Sequence, residues 1–166
     1  MTGALGRWRT AVAEQLRSAG LEAVEAMGPE RAARVRGPVA AVALAGAACG
    51  PGGFQDYLGA EETQGGGSRE VYGRRVELTL RLDVFAPRDG GAPACRAAAE
   101  QAAEELLFRG AAGLPVAELT AGETEFLERD GLYRLAVRCR CGAWLTARAD
   151  EETGTLTDFE VRGTMR

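Results

Sequence analysis

The chain has 166 residues, the length of one ordinary domain, so a single domain spanning residues 1–166 is expected. Its hydrophobic fraction of 46% beside 27% charged residues is that of a globular protein and excludes a disordered chain. The net charge of -4 argues against general affinity for nucleic acids, because non-specific DNA binding requires an excess of basic groups.

The chain begins with the pattern of an amphipathic helix. Apolar residues recur at steps of three and four, at Leu5, Trp8, Val12 and Leu16, and Gly20 ends the pattern. The following residues predict a short strand over 21–27, a helical turn begun by a proline over 29–34, and a buried strand of small residues over 38–45.

The character of the chain changes over residues 46–69, where two glycine clusters flank a short apolar segment. This composition predicts a long glycine-rich loop whose tip, residues 59–68, is mobile. Long loops are uncommon in compact domains and are often functional, which makes Phe54, Tyr57 and Leu58 candidate contact residues. The alternative is a solvated insertion without a function.

The clearest element is a strand over residues 76–84, where apolar and polar residues alternate. A second helix is predicted over residues 92–109, with small apolar residues such as Ala98 and Ala102 on one stripe. Two further strands, from 116 to 126 and from 132 onward, are joined by the favoured hairpin dipeptide Asp130-Gly131, and a last strand covers 155–164. This order predicts an α+β fold, an antiparallel sheet with two main helices packed on one face.

Residues suited to catalysis are missing. The chain has no histidine and no lysine, so a serine or cysteine nucleophile would lack its usual base. The carboxylate pairs at 61–62 and 151–152 lie in predicted loops or turns, where charged residues are usually solvated. Neither glycine cluster has the spacing of a phosphate-binding loop. We therefore expect no enzyme activity, no catalytic residue and no cofactor-binding residue.

The four cysteines do not have the paired spacing of a zinc site, so no metal is expected. Cys139 and Cys141 share one side of a predicted strand with Leu135 and Val137, which favours buried thiols over a redox or metal role. Residues 1–9 contain no apolar run of the kind found in signal peptides, and no segment approaches the apolar length that spans a bilayer. Reduced thiols, a cytoplasmic location and no membrane contact are therefore expected.

A strip of arginines is predicted on the polar side of the sheet. Its members alternate with apolar residues on two long strands and are Arg134, Arg138, Arg140, Arg75 and Arg81. One interpretation is a surface for an acidic partner or for passing DNA. The other is a solvated face whose charge is neutralised across the strands by Glu77 and Asp83.

Four stretches of the chain resemble a known family. They are residues 52–59 (GGFQDYLG), 70–87 (EVYGRRVELTLRLDVFAP), 122–126 (GETEF) and 156–163 (LTDFEVRG). In their order and spacing they are similar to small proteins encoded among the tail genes of prophages and contractile tail-like particles, the tail terminator or tail completion proteins. The similarity extends from about residue 15 to residue 163, and none of the stretches is a catalytic signature.

The resemblance implies an α+β subunit that forms a homo-oligomeric ring, expected to be a hexamer. Such a ring caps the tail tube, stops polymerisation of tube and sheath, and offers an attachment surface to the head or neck. The implied partners are the tail tube protein, the sheath and neck or connector proteins, with transient contact to passing double-stranded DNA. The implied location is the virion tail or a tail-like particle assembled in the bacterial host cytoplasm.

Within this family context Phe54, Tyr57 and Leu58 are the candidate inter-subunit contacts, and the arginine strip is the candidate surface facing the lumen or a partner. Three alternatives remain open at this stage. The alternatives to a tail terminator are a neck or head-tail adaptor protein, a small-ligand-binding α+β domain with a pocket between helix and sheet, and an enzyme of unrecognised type.

Overall fold

The protein has an α+β fold, as the sequence predicts. The computed structural model describes residues 2–51, 54–150 and 156–162. The helices are α1 (Thr2–Ser18), α2 (Pro29–Ala32) and α3 (Gly91–Arg109). The strands are β1 (Glu22–Val24), β2 (Val39–Gly50), β3 (Tyr57–Glu62), β4 (Ser68–Pro87), β5 (Val116–Leu127), β6 (Leu132–Asp150) and β7 (Leu156–Arg162).

One sheet contains all the strands of the described residues, and its centre is the long antiparallel pair of β4 and β6. On one side, β4 pairs with β2 and then with β3, and on the other side β6 pairs with β5 and then with β7. The expected antiparallel sheet is therefore present along most of its width. It is nevertheless a mixed sheet, because β1 pairs with β2 in parallel at the edge.

The main core lies between one face of this sheet and the helices α1 and α3. Alternate residues of the two central strands point into it: Val76, Leu78, Leu80, Leu82, Val84, Leu135, Val137, Cys139 and Cys141. From the helices come Trp8, Val12, Leu16, Cys95, Ala98, Ala99, Ala102 and Leu106. Because the inward stripe of α3 is largely alanine, this helix lies close to the strands. Both main helices thus cover the same face, as expected.

Polar contacts hold α1 to the end of α3. The indole nitrogen of Trp8 donates a hydrogen bond of 2.7 Å to the carbonyl of Ala111. The Gln15 side chain donates to the carbonyl of Gly110 at 3.0 Å and accepts from the backbone nitrogen of Ala112 at 2.8 Å. Buried polar groups are therefore satisfied where the helices meet the loop that leads into β5.

A second, smaller apolar cluster lies on the opposite face at the start of β2. Its buried members are Val24, Val39, Ala41, Phe85 and Leu132. The single turn α2, which begins at Pro29 as predicted, covers this cluster with Ala32 and the adjoining Val35. Apart from this cover, the face opposite α1 and α3 carries mainly polar side chains.

The predicted loop over residues 46–69 is mostly strand. The strand β2 continues to Gly50, and β3 forms a hairpin with the first residues of β4. The strand β3 has a bulge near Tyr57, and Gly59 has a positive φ of 141°. The glycines in this segment interrupt the alternation by which a strand is predicted from sequence. We call residues 57–75 the β3–β4 arm, since residues 68–75 contribute no side chain to either core cluster.

None of the helices in the described residues has the length and apolar content required to cross a membrane.

Gly110 and Gly113 provide a test of how the loop after α3 is held. Both have positive φ, but a β-carbon on Gly110 would lie 2.6 Å from the carbonyl oxygen of Leu114, whereas one on Gly113 meets no atom within 4 Å. We expect Gly110→Ala to lower the free energy of unfolding by about 3 kcal/mol, and Gly113→Ala by about 1 kcal/mol. Urea unfolding of both variants measures the difference, and equal losses would contradict the close contact with Leu114.

Candidate assembly surfaces

All five arginines of the predicted strip lie on the sheet face opposite α1 and α3. The register of β4 and β6 places Arg81 opposite Arg138, and Arg75 opposite Trp144. Arg140 lies opposite Thr79, and Arg134 lies opposite Phe85. The alternation that directs the apolar residues into the core therefore directs these arginines to the other face.

Asp83 is the centre of the charged network on this face. It is 7% exposed and accepts two hydrogen bonds from Arg134, at 2.9 Å from Nε and 2.7 Å from Nη2. The Nε atom of Arg81 lies 3.0 Å from the other carboxylate oxygen and forms an ion pair with it. Hydrogen bonding to Asp83 raises the pKa of Arg134, which therefore stays charged. A buried carboxylate requires such partners, because it has lost its water.

Further carboxylates neutralise most of the strip. Glu125 on β5 lies 2.9 Å from Nη1 of Arg134, so this guanidinium bridges β4 and β5. Arg140 pairs with Glu118 on β5 at 2.7 Å and, more loosely, with Glu77 at 3.7 Å. These pairs are solvent-exposed and each contributes little to stability. The neutralising interpretation is thus correct for Arg81, Arg134 and Arg140.

Arg75 and Arg138 differ from the other three. Both are exposed, and neither has an ion-pair partner among residues 2–51, 54–150 and 156–162. Arg138 also lies directly across from Arg81, a placement of like charges that is unfavourable in an isolated sheet. The positive strip predicted from the sequence is therefore reduced to these two uncompensated side chains.

The predicted contact residues of the glycine-rich segment lie on the β3–β4 arm. Tyr57 packs edge-on against Tyr72, with ring centroids 5.7 Å apart, and remains 46% exposed. Leu58 is 40% exposed and covers Gly73, where a β-carbon would collide with its side chain. Phe54 begins the short turn before β3, and its side chain lies outside the described part of the chain.

Two surfaces were missed by the sequence analysis. Leu107 and Phe108, at the end of α3, are 55% and 87% exposed. An open cleft of about 1040 Å³ lies between α2, β1 and the start of β2 and is lined by Arg31, Arg34 and Arg36. The steps of four that join Glu100, Glu104 and Phe108 signal that Phe108 belongs to the outer stripe of α3.

The space between the main helices and the sheet, where a ligand pocket was one alternative, is filled by side chains of the main core. Three of the thiols are buried there, at Cys95, Cys139 and Cys141, while Cys49 is exposed. Burial raises the pKa of the Cys95 thiol, and the contact with Cys141 together with burial raises that of Cys139. The Cys95 and Cys139 thiols therefore remain protonated, while the same contact lowers the pKa of Cys141. All three buried cysteines pack as small apolar groups.

The described residues contain no group of three or more histidine, cysteine or acidic side chains placed to hold a metal ion.

Comparison of the chain with models of known protein families and with curated proteins gives no significant match.

The Asp83 network can be tested by removing one charge. Asp83→Asn keeps the shape of the side chain but leaves Arg81 and Arg134 without their buried counter-charge, so we expect the free energy of unfolding to fall by about 2 kcal/mol. Glu77→Gln, which alters an exposed and looser pair, should change it by less than about 0.5 kcal/mol. Urea unfolding measures the free energy of unfolding of both variants. Similar losses for the two would show that Asp83 is not the centre of the network.

Proposed function

We propose that this protein is a structural subunit of a phage tail or tail-like particle, a tail terminator that forms a ring on the end of the tail tube. In this role it stops the growth of tube and sheath and presents a surface to the head or neck. The resemblance of the four sequence stretches to tail terminator proteins suggests this family. The observation on the fold that carries the proposal is the β3–β4 arm, with its open strand edge and exposed apolar side chains.

An arm of this kind suits contacts between subunits. The outer edge of β3 has no strand partner in the described residues, and an unpaired edge can be extended by a strand of another chain. Tyr57 and Leu58 add exposed apolar surface beside that edge. An isolated monomer gains nothing from such a feature, whereas a ring covers it at each interface.

The polar face suits weak contacts with a charged partner. Most of its arginines are neutralised internally, so the surface lacks the dense positive charge of a dedicated DNA-binding protein. Arg75 and Arg138 keep their charge available for an acidic tube subunit or for sequence-independent contact with DNA. A neck or head-tail adaptor could use the same surface, and the two proposals differ in the neighbour that the ring binds.

The ring and its position can be tested together. We expect the purified chain to sediment as a hexamer, at six times the subunit mass of 17.5 kDa, and to bind the open end of purified tail tubes. In cells that express the tail genes without this chain, tubes should exceed their normal length. Binding to connector rings with no effect on tube length would favour the neck adaptor, and a monomer that binds neither structure would exclude both.

The role of the uncompensated arginines requires a separate variant. Arg75→Glu combined with Arg138→Glu reverses two exposed charges without breaking an ion pair, so folding and ring formation should persist while binding to tubes weakens and loses part of its salt dependence. Co-sedimentation with tubes over a range of salt concentrations measures this. Arg129→Glu, at an exposed turn, is the matched control. If the double variant behaved like this control, the strip would be ordinary solvated surface.

A further inference from the structure

The exposed end of α3 and the arginine cleft have complementary properties. Phe108 and Leu107 present a large apolar surface to solvent, and Glu100 and Glu104 precede them on the outer side of the helix. The cleft has the opposite charge, from Arg31 and its neighbours. The helix end is apolar with acidic residues along its outer side, and Arg109 beside Phe108 pairs with Glu105; the cleft contains more arginines than glutamates.

The cleft also has space for an apolar side chain. Its volume is about 1040 Å³, and Pro29, Val35 and Val39 contribute apolar lining between the charged residues. In the described part of the chain, none of its three arginines, Arg31, Arg34 and Arg36, has an ion-pair partner, although Glu22 and Glu30 also line the cleft. An arginine-rich cleft with apolar walls is suited to an acidic helix end that carries an aromatic residue.

The two surfaces lie at opposite ends of the strand order. The cleft lies beside β1, the first strand of the sheet, while α3 contacts β4, β6 and the last strand, β5. The cleft is also on the face covered by α2, whereas α3 covers the other face. A subunit therefore cannot close this contact within itself, but one copy can offer its helix end to the cleft of the next.

We infer that the end of α3, with Leu107, Phe108, Glu100 and Glu104, docks into the arginine cleft of a second copy of this chain. The contact uses two different surfaces, so it is heterologous and repeats from copy to copy with a fixed rotation. It deepens the proposed function, since it rests on the formation of a ring and names the surfaces that form it. The arm edge of β3 lies on the same side of β4 as the cleft and would meet the same neighbour.

The test uses two variants of the subunit, each with one of the two contact surfaces disrupted. One carries Arg31→Glu and Arg34→Glu in the cleft, and the other carries Leu107→Ala and Phe108→Ala on α3. All four side chains are at least partly exposed, so both variants should fold with unchanged thermal unfolding. Each variant alone should lose association at least about tenfold. An equimolar mixture should form a dimer that contains one copy of each and does not grow, because only one intact pair of surfaces remains.

Mass measurement in solution distinguishes the outcomes. If the cleft variant alone assembled like the wild type, the contact would not involve the cleft, and the inference would be wrong even if wild-type rings still capped tubes. The inference would also be wrong if the cleft variant kept its oligomeric state and lost only binding to a duplex DNA probe, because the cleft would then be a DNA-binding site. Arg129→Glu should leave assembly unchanged. A wild-type chain that stays monomeric and binds no tubes would overturn both this contact and the proposed function.

Discussion

The pairing of β4 with β6 is the constraint on which the remaining structure depends. The two strands run antiparallel from Arg69 opposite Asp150 to Pro87 opposite Leu132 without a register shift. Every other antiparallel pair in the described sheet contains a bulge or irregularity. Since side chains alternate between faces, a slip of one residue in the central pair would exchange the core face with the charged face. The irregularities are confined to the outer strands. There they bend the edge of the sheet and leave the two faces of the central pair unchanged.

This register determines what each face can do. On the helix side the apolar residues of the central strands meet the alanine stripe of α3, and the interface is filled. On the other side the same alternation brings Asp83 between Arg81 and Arg134, where it is buried yet paired. The aliphatic part of an arginine can cover neighbouring surface while its charged end reaches solvent. A charged face can therefore exist on the sheet without a large net charge.

The sequence predicted those parts of the fold that depend on local periodicity. Alternation over residues 76–84 predicted only the part of β4 that packs in the core, and the stripe through Ala98 and Ala102 predicted α3. Cys139 and Cys141 were correctly placed inside. The strand content of residues 46–69 was not predictable in this way, because the glycines supply no pattern and β3 is formed by pairing with β4. Local periodicity does not predict a strand such as β3, whose structure is decided by pairing with the neighbouring strand and not by its own pattern of residues.

The charged face shows the same limit. Its arginines could be placed from alternation, and so could their neutralisation across the strands by Glu77 and Asp83. The contributions of Glu118 and Glu125 depend on the register of β5 against β6, which is interrupted by two bulges. Counting residues along a strand cannot predict which carboxylate reaches which arginine beyond a bulge. The exposure of Phe108, by contrast, was predictable, because Phe108 follows Glu100 and Glu104 at steps of four on the outer side of α3.

The asymmetry of the sheet constrains any assembly that this chain forms. In the described sheet, β1, β2 and β3 lie on one side of the central pair and β5 and β7 on the other, so the two borders are formed by different strands. A two-fold contact through one border would leave the other border uncovered, and exposed strand edges invite further association. A head-to-tail contact covers both borders of every copy at once, and its rotation decides between a closed ring and an open helix. Closure would limit the assembly of the proposed terminator itself, because a ring has no lateral end to which another copy can be added.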